Sequence, residues 1–214
     1  MNHGPLLAGL LLALCAGCPQ SSSSATVAAP QGGAAGGGGA FAERIKIKDG
    51  AGATAFELKR MDDGLKVVDA NEVERFRLKA KDGKVKLRDP QDLVLGYVKF
   101  SDGHFKVKDA SQERTLFSLR QQADGDWKLE NERDEQLCEI KRRDYGWVIR
   151  DPQERDLYKV KVDGGKTSLR DAQDQTRYAT HDPVSGLAFV ALGFDALDEG
   201  QRLALLYQIQ ASGK

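Results

Sequence analysis

The first forty residues of this 214-residue chain contain no aspartate, glutamate, lysine or arginine. All 32 basic and 32 acidic residues follow residue 40, so the later part of the chain is much more highly charged than an average domain. A total of 214 residues is typical of one domain with or without an extension. We therefore predict a single folded domain at residues 41–214, preceded by a segment of a different kind.

Cysteine is also scarce, with three residues at positions 15, 18 and 138. Two of them lie in the uncharged segment, which leaves Cys138 without a disulfide partner in the predicted domain. Cys138 shares its alternating phase with Ile140 in the segment LCEIK. We therefore predict a buried structural thiol rather than a catalytic one.

Patterns that carry catalytic chemistry are missing. The domain has two isolated histidines, His104 and His181, and we find no nucleophile elbow, helical His-Glu pair or phosphate-binding glycine loop. The recurring aspartates are explained by turn chemistry without calcium. We predict a protein that is not an enzyme and that has no cofactor and no metal site.

Residues 1–17 have a leucine-rich apolar core followed by small residues, which is typical of a secretory signal peptide. The segment resembles the bacterial lipoprotein signal, in which cleavage precedes a cysteine that receives the lipid. This resemblance implies that Cys18 is the lipid attachment site. An ordinary cleaved signal peptide is the alternative, because Cys15 stands where an aliphatic residue is usual and no lysine or arginine precedes the apolar core.

Residues 19–40 are mainly serine, alanine and glycine and predict a flexible tether with a reach of about 25 Å. The predicted organisation is a signal peptide at 1–17, a lipidated cysteine and tether at 18–40, and the domain at 41–214. The lipoprotein resemblance implies an exported, membrane-anchored protein of the bacterial cell envelope. Pro19 follows Cys18 where enterobacterial lipoproteins of the inner membrane have aspartate, which favours the outer membrane.

A glycine turn recurs about every twenty residues in the domain, and such a period indicates repeated supersecondary units. In five of six copies the glycine follows aspartate, which is a strong hairpin signal because both central residues of a type I′ turn have positive φ. The glycines are Gly64, Gly83, Gly103, Gly125, Gly146 and Gly164. Six hairpins predict about twelve strands, with one more candidate strand at residues 44–48.

Alternation along these strands gives one apolar face and one basic face. The strand at residues 93–100 is apolar in both phases, so we predict additional cover on its outer side. A sheet of this length would expose two edges and a large apolar face if it stayed open. The pattern therefore favours a mainly β fold, a closed antiparallel barrel of repeated hairpins.

A barrel of about twelve strands leaves room for a helix about 10 Å wide. Residues 186–197 (GLAFVALGFDAL) are apolar on all sides and too short to cross a bilayer, so we predict that this segment is the enclosed helix. Asp198 and Gln201 have the spacing of a capping box and predict a second, short terminal helix over the barrel mouth. Its expected buried side holds Leu203, Leu206 and Ile209.

The repeated hairpins DGKVKLRD and DGHFKVKD, the strand count and the position of GLAFVALGFDAL resemble the tubby-like superfamily, which includes phospholipid scramblases and LURP-one-related proteins. The resemblance implies a twelve-stranded barrel around an apolar helix near the C-terminus, and a binding role close to a membrane. An open row of hairpins or a β-solenoid, as in Trp-Gly repeat proteins, is the alternative fold.

The net charge is zero, but lysine and arginine are concentrated on strand exteriors and acidic residues in turns. This arrangement predicts a basic belt between acidic rims. Solubility and edge protection explain such a belt; alternatively, the belt contacts anionic lipid or an envelope protein, while nucleic acid is not expected. The candidate contact residues are Lys84, Lys86, Arg88, Lys106, Lys108, Lys159 and Lys161.

The predicted function is a membrane-anchored module with a non-enzymatic binding or structural role. The alternative is lipid binding or handling of the scramblase or tubby-like type, which requires a cavity beside the enclosed helix.

Overall fold

The computed structural model describes residues 41–214, which form a closed antiparallel barrel of fourteen strands around two short helices. The predicted mainly β barrel is therefore confirmed. The predicted signal peptide, Cys18 and tether lie outside the described residues. The strands are β1 (Arg44–Asp49), β2 (Thr54–Met61), β3 (Gly64–Val68), β4 (Glu74–Lys81), β5 (Lys84–Arg88), β6 (Val94–Ser101), β7 (His104–Lys108), β8 (Thr115–Gln121), β9 (Trp127–Asn131), β10 (Gln136–Arg143), β11 (Gly146–Arg150), β12 (Asp156–Asp163), β13 (Lys166–Asp171) and β14 (Thr176–Thr180).

Each strand pairs with its neighbours in sequence, and β1 pairs with β14 to close the ring. The six predicted hairpins supply β2 to β13, and β1 confirms the further candidate strand predicted at residues 44–48. The prediction therefore missed only β14, the strand that pairs with β1. The closing pair is short, with Lys48 opposite Ala179 and Asp49 opposite Tyr178. Beyond it, the amide of Lys46 donates to the Asp182 carboxylate at 2.6 Å, so a side chain replaces the next strand-to-strand contact.

The glycine period is confirmed, but only some glycines occupy the turn centres. Asp82-Gly83 has positive φ at both residues, as a type I′ turn requires, and so does Asp102-Gly103. Gly64 instead begins β3, where an added Cβ would lie 1.8 Å from the Leu78 carbonyl oxygen. At such positions glycine is needed because a neighbouring backbone passes too close for a side chain.

At the opposite end of the barrel, aspartate side chains shape the turns between hairpins. Asp69 Oδ1 accepts from the amides of Asn71 and Val73 at 2.8 and 3.0 Å, and Glu72 between them has positive φ. The same double acceptance recurs at Asp49, Asp89, Asn131, Asp151 and Asp171. These side chains replace backbone acceptors, which is why aspartate recurs there.

The barrel interior is filled by apolar side chains from the wall and from the C-terminal segment. After Ser185, whose hydroxyl caps the first turn, α1 (Gly186–Val190) and a 3₁₀ turn (Ala191–Gly193) pack against β11, β12 and β13. The second helix, α2 (Glu199–Ser212), packs against α1 and against β4 to β7. The strand residues that face the barrel interior are those that alternation predicted, although Val162 lies half-exposed.

Two predictions about the C-terminal segment are wrong in detail. The regular helix predicted at 186–197 ends at Val190, and the second helix does not cover the mouth. Leu203 and Leu206 share one side of α2 and Leu205 projects from another, yet all three are fully buried. Because fourteen strands enclose a wider space than one helix fills, α2 lies inside the barrel beside α1. The predicted capping box is confirmed, since Asp198 and Gln201 exchange two hydrogen bonds.

Candidate anion-binding surface

The seven predicted contact residues do not form one belt. Lys84, Lys86 and Arg88 lie on β5, with Lys106 and Lys108 close by on β7, whereas Lys159 and Lys161 lie on β12 across the barrel. The structure therefore brings five of the seven together and separates the other two. Strand register adds further lysines to the first group.

The outer faces of β4 to β7 carry seven lysines at eight adjacent positions. One row crosses the strands through Lys79, Lys86, Tyr97 and Lys108, and the next row through Lys81, Lys84, Lys99 and Lys106. We call these eight residues the lysine grid. Because residues directly opposite in an antiparallel pair share a face and lie about 5 Å apart at Cβ, the ammonium groups crowd one area of the surface.

Six of the seven grid lysines have no acidic partner within the described part of the chain. Among residues 41–214, Lys79 is the only grid lysine in an ion pair, with Asp63 at 2.9 Å. Lys84 donates to the Gln112 side chain at 3.3 Å, and Lys108 donates to the Gln112 backbone carbonyl at 2.5 Å. Like charges opposite one another are destabilising in a sheet. An anion bound across the grid would offset that repulsion.

Basic residues elsewhere on the wall are mostly neutralised. Lys159 pairs with Asp156 at 3.5 Å, and Lys161 pairs with Asp174 at 2.9 Å. Further pairs join Arg88 to Asp92, Arg44 to Glu57, Lys66 to Glu74, Arg120 to Glu130, Lys141 to Glu139, and Arg150 to Asp156. Within residues 41–214, other basic strand residues without an ion pair are Lys46, Lys48, Arg60, Lys128, Arg142, Arg143, Lys166 and Arg177. The grid differs from these in having six such lysines at adjacent positions on one face.

Tyr97, the uncharged member of the grid, lies beneath neighbouring lysine side chains. Tyr97 is only 8% exposed although it lies on the outer face, because Lys84 and Lys86 reach over its ring with their ammonium nitrogens 5.7 and 5.6 Å from the ring centroid. The additional cover predicted outside residues 93–100 is present only at Tyr97, where lysine side chains supply it; Leu93 and Leu95 are exposed, so the prediction is wrong for them. Beside Tyr97 is a shallow cavity of about 380 Å³, lined by grid lysines, Asp63, Asp82 and Gln112.

His104 lies at the edge of the grid, and nearby positive charges affect its pKa. Its pKa is lowered from the ordinary value by partial burial and then by the positive charges of Arg120 and Lys106. The imidazole lies directly opposite Arg120 on β8. The lowered pKa favours the uncharged imidazole, so His104 contributes less positive charge to the grid than an ordinary histidine would.

Sequence reasoning did not select Lys79, Lys81, Lys99, Tyr97 or Gln112 as contact residues. The signal for two of them was present, because a two-residue turn at Asp82-Gly83 places Lys81 opposite Lys84 and Lys79 opposite Lys86. Gln112 has no comparable signal. It belongs to the β7–β8 turn and reaches the grid only through the folded arrangement.

Cys138 lies in the barrel interior, where burial and then the negative charge of Asp195 raise the pKa of its thiol to about 12. A thiol in this environment is a poor nucleophile at neutral pH. Within residues 41–214, no three histidine, cysteine, aspartate or glutamate side chains come together as a metal-binding group. No helix in the same residues is long and apolar enough to cross a membrane.

No protein-family model matches the sequence, and no characterised protein is similar enough to it to identify a relative. Among solved structures, the chain is similar to an X-ray structure of a protein from Arabidopsis thaliana. The two share 13% sequence identity and a TM-score of 0.38, over 71% of this chain and 88% of the other.

Proposed function

We propose that the protein is a lipid-anchored protein of the bacterial cell envelope whose barrel is a non-enzymatic binding module for an anionic partner. The observation that carries the proposal is the lysine grid, in which six lysines share one face and have no acidic partner among residues 41–214. The anchor is supported by the signal-like residues 1–17 and by Cys18 directly after them. The tether of residues 19–40 would let the barrel move about its anchor in search of the partner.

The filled interior favours this module over lipid handling inside the barrel. Trp127, Phe105, Phe189 and Phe194 are fully buried there, and both helices occupy the space that a lipid chain would need. The proposed relation to the tubby-like superfamily rests on a closed barrel with apolar C-terminal helices. The chain departs from that pattern in having fourteen strands and two enclosed helices.

Replacing Cys18 with serine should remove the anchor. In bacteria fed an alkyne fatty acid, the full-length protein should be labelled and should sediment with membranes, because the thiol of Cys18 carries the lipid. Cys18→Ser should be unlabelled, while Cys15→Ser, three residues away, should be labelled as the wild type is. Label that persists in Cys18→Ser, or that is missing from the wild type, contradicts lipid anchoring at this residue.

A charge-matched pair of variants tests the anionic partner surface. Lys84→Gln/Lys86→Gln and Lys159→Gln/Lys161→Gln each remove two positive charges, but only the first pair lies on the grid. On a sulfonate resin in non-ionic detergent, the wild type should be retained despite its zero net charge, and the grid variant should elute at clearly lower salt.

The β12 variant should elute close to the wild type, because its lysines are already paired with Asp156 and Asp174. If both variants shift equally, retention follows overall charge and the grid is not a binding surface.

A further inference from the structure

The lysine grid has a regular two-row geometry that restricts the kind of anion it fits. Each row crosses four neighbouring strands, so its charges originate from backbones about 4.8 Å apart. Along each strand, the two rows are separated by two residues, or about 6.6 Å. A ligand that uses a whole row must therefore be elongated and must carry several negative charges.

The spacing across strands is close to the length of one hexose unit in an extended polysaccharide. An acidic polysaccharide with about one charge per sugar would place successive charges over successive strands. Lys81, Lys84 and Lys99 are adjacent in one row, and Lys106 continues it onto β7. Such a chain would bridge ammonium groups that now face each other without an intervening anion.

The residue types in the grid favour this ligand over other polyanions. Every charged member is lysine, a flexible point charge, whereas bidentate recognition of a phosphate group uses arginine. Single-stranded nucleic acid is bound through exposed aromatic rings that stack on bases, and the ring of Tyr97 is covered. Protein interfaces place exposed aromatic or apolar anchors at their centre and are depleted in lysine.

We propose that the lysine grid binds a linear acidic polysaccharide that runs across β4 to β7. This assignment rests on the proposed function, because it names the chemistry of the anionic partner. The polymer lies along the rows, perpendicular to the strands, and Gln112 borders its path beside Lys84 and Lys108. The contact is electrostatic and weakens as salt increases.

The test uses the full-length protein in non-ionic detergent and oligogalacturonates of increasing length as probes. Affinity should increase with each added sugar until the oligomer spans four strands, and then should change little. Lys84→Gln/Lys86→Gln should weaken binding of the long oligomers about tenfold, because each of the two rows loses one lysine. Lys159→Gln/Lys161→Gln should change it less than about twofold, since both lysines are already paired. Neutral dextran should not bind.

Competition identifies the source of the anionic group. Inorganic pyrophosphate, a single-stranded DNA oligomer and mixed micelles containing phosphatidylglycerol should each displace the oligogalacturonate poorly at equal charge concentration. If any of the three competes as well as the polysaccharide, or if short and long oligomers bind alike, the polysaccharide assignment is overturned while the anionic surface stands. If no anion binds at all, the proposed function fails with it.

Discussion

Replacing Phe189 with alanine should lower the free energy of unfolding by about 3–5 kcal/mol. Phe189 lies in α1 with none of its side chain exposed, where the helix packs against β11, β12, β13 and α2. Deleting the ring removes its buried surface and leaves a cavity. We expect the upper part of the range, because a wall hydrogen-bonded around its whole circumference cannot easily collapse into the space.

The measurement is denaturant unfolding of the full-length protein in non-ionic detergent, followed by tryptophan fluorescence. Trp127 and Trp147 lie on β9 and β11, so both report on the integrity of the wall. Phe189→Leu keeps most of the apolar volume and should cost less than about 1.5 kcal/mol. A loss below about 1 kcal/mol for Phe189→Ala would show that α1 is not tightly enclosed.

The alternation of apolar and polar residues was sufficient to predict which residues of the wall face inward. A strand has only two faces, and a shift by one residue would exchange them. Ile45, Leu78 and Leu119 are fully buried as their phase requires. The strand count was harder to predict. β14 follows the last glycine turn and has no hairpin partner further along the chain, so a count based on turn glycines missed it.

The position of α2 was predicted wrongly because its pattern was interpreted as a one-sided helix. Leu203, Leu206 and Ile209 are buried as expected, but Leu205 and Gln208 on other sides are buried too. Gln208 donates from its amide to the carbonyl oxygen of Gly83, which allows a polar side chain to be buried near the end of the barrel. Periodicity alone did not separate a helix that covers a core from one that lies within it.

The candidate site was only partly predictable because charge neutralisation depends on contacts between neighbouring strands and turns. Lys106 and Lys159 have the same place in the alternation, yet only Lys159 has an acidic partner, Asp156, within reach. Which lysines lie opposite one another depends on the strand register of each hairpin. That register can be derived from the sequence where the turn has a defined length, as at Asp82-Gly83. The β7–β8 turn, which brings Gln112 to the grid, follows no such rule.

Single alanine substitutions of Leu203, Leu205 and Leu206 should each lower the free energy of unfolding by about 2–5 kcal/mol. Leu203 and Leu206 lie on one side of α2 and Leu205 lies on another, and each is fully buried where the helix packs between α1 and the wall. Leu93→Ala is the matched control, since Leu93 is 63% exposed and its loss should cost about 0.5 kcal/mol or less. If α2 merely covered the barrel mouth, substitutions on only one of its sides would lower the free energy of unfolding. If Leu205→Ala has as little effect as Leu93→Ala while Leu203→Ala and Leu206→Ala are costly, α2 lies on the barrel rather than within it.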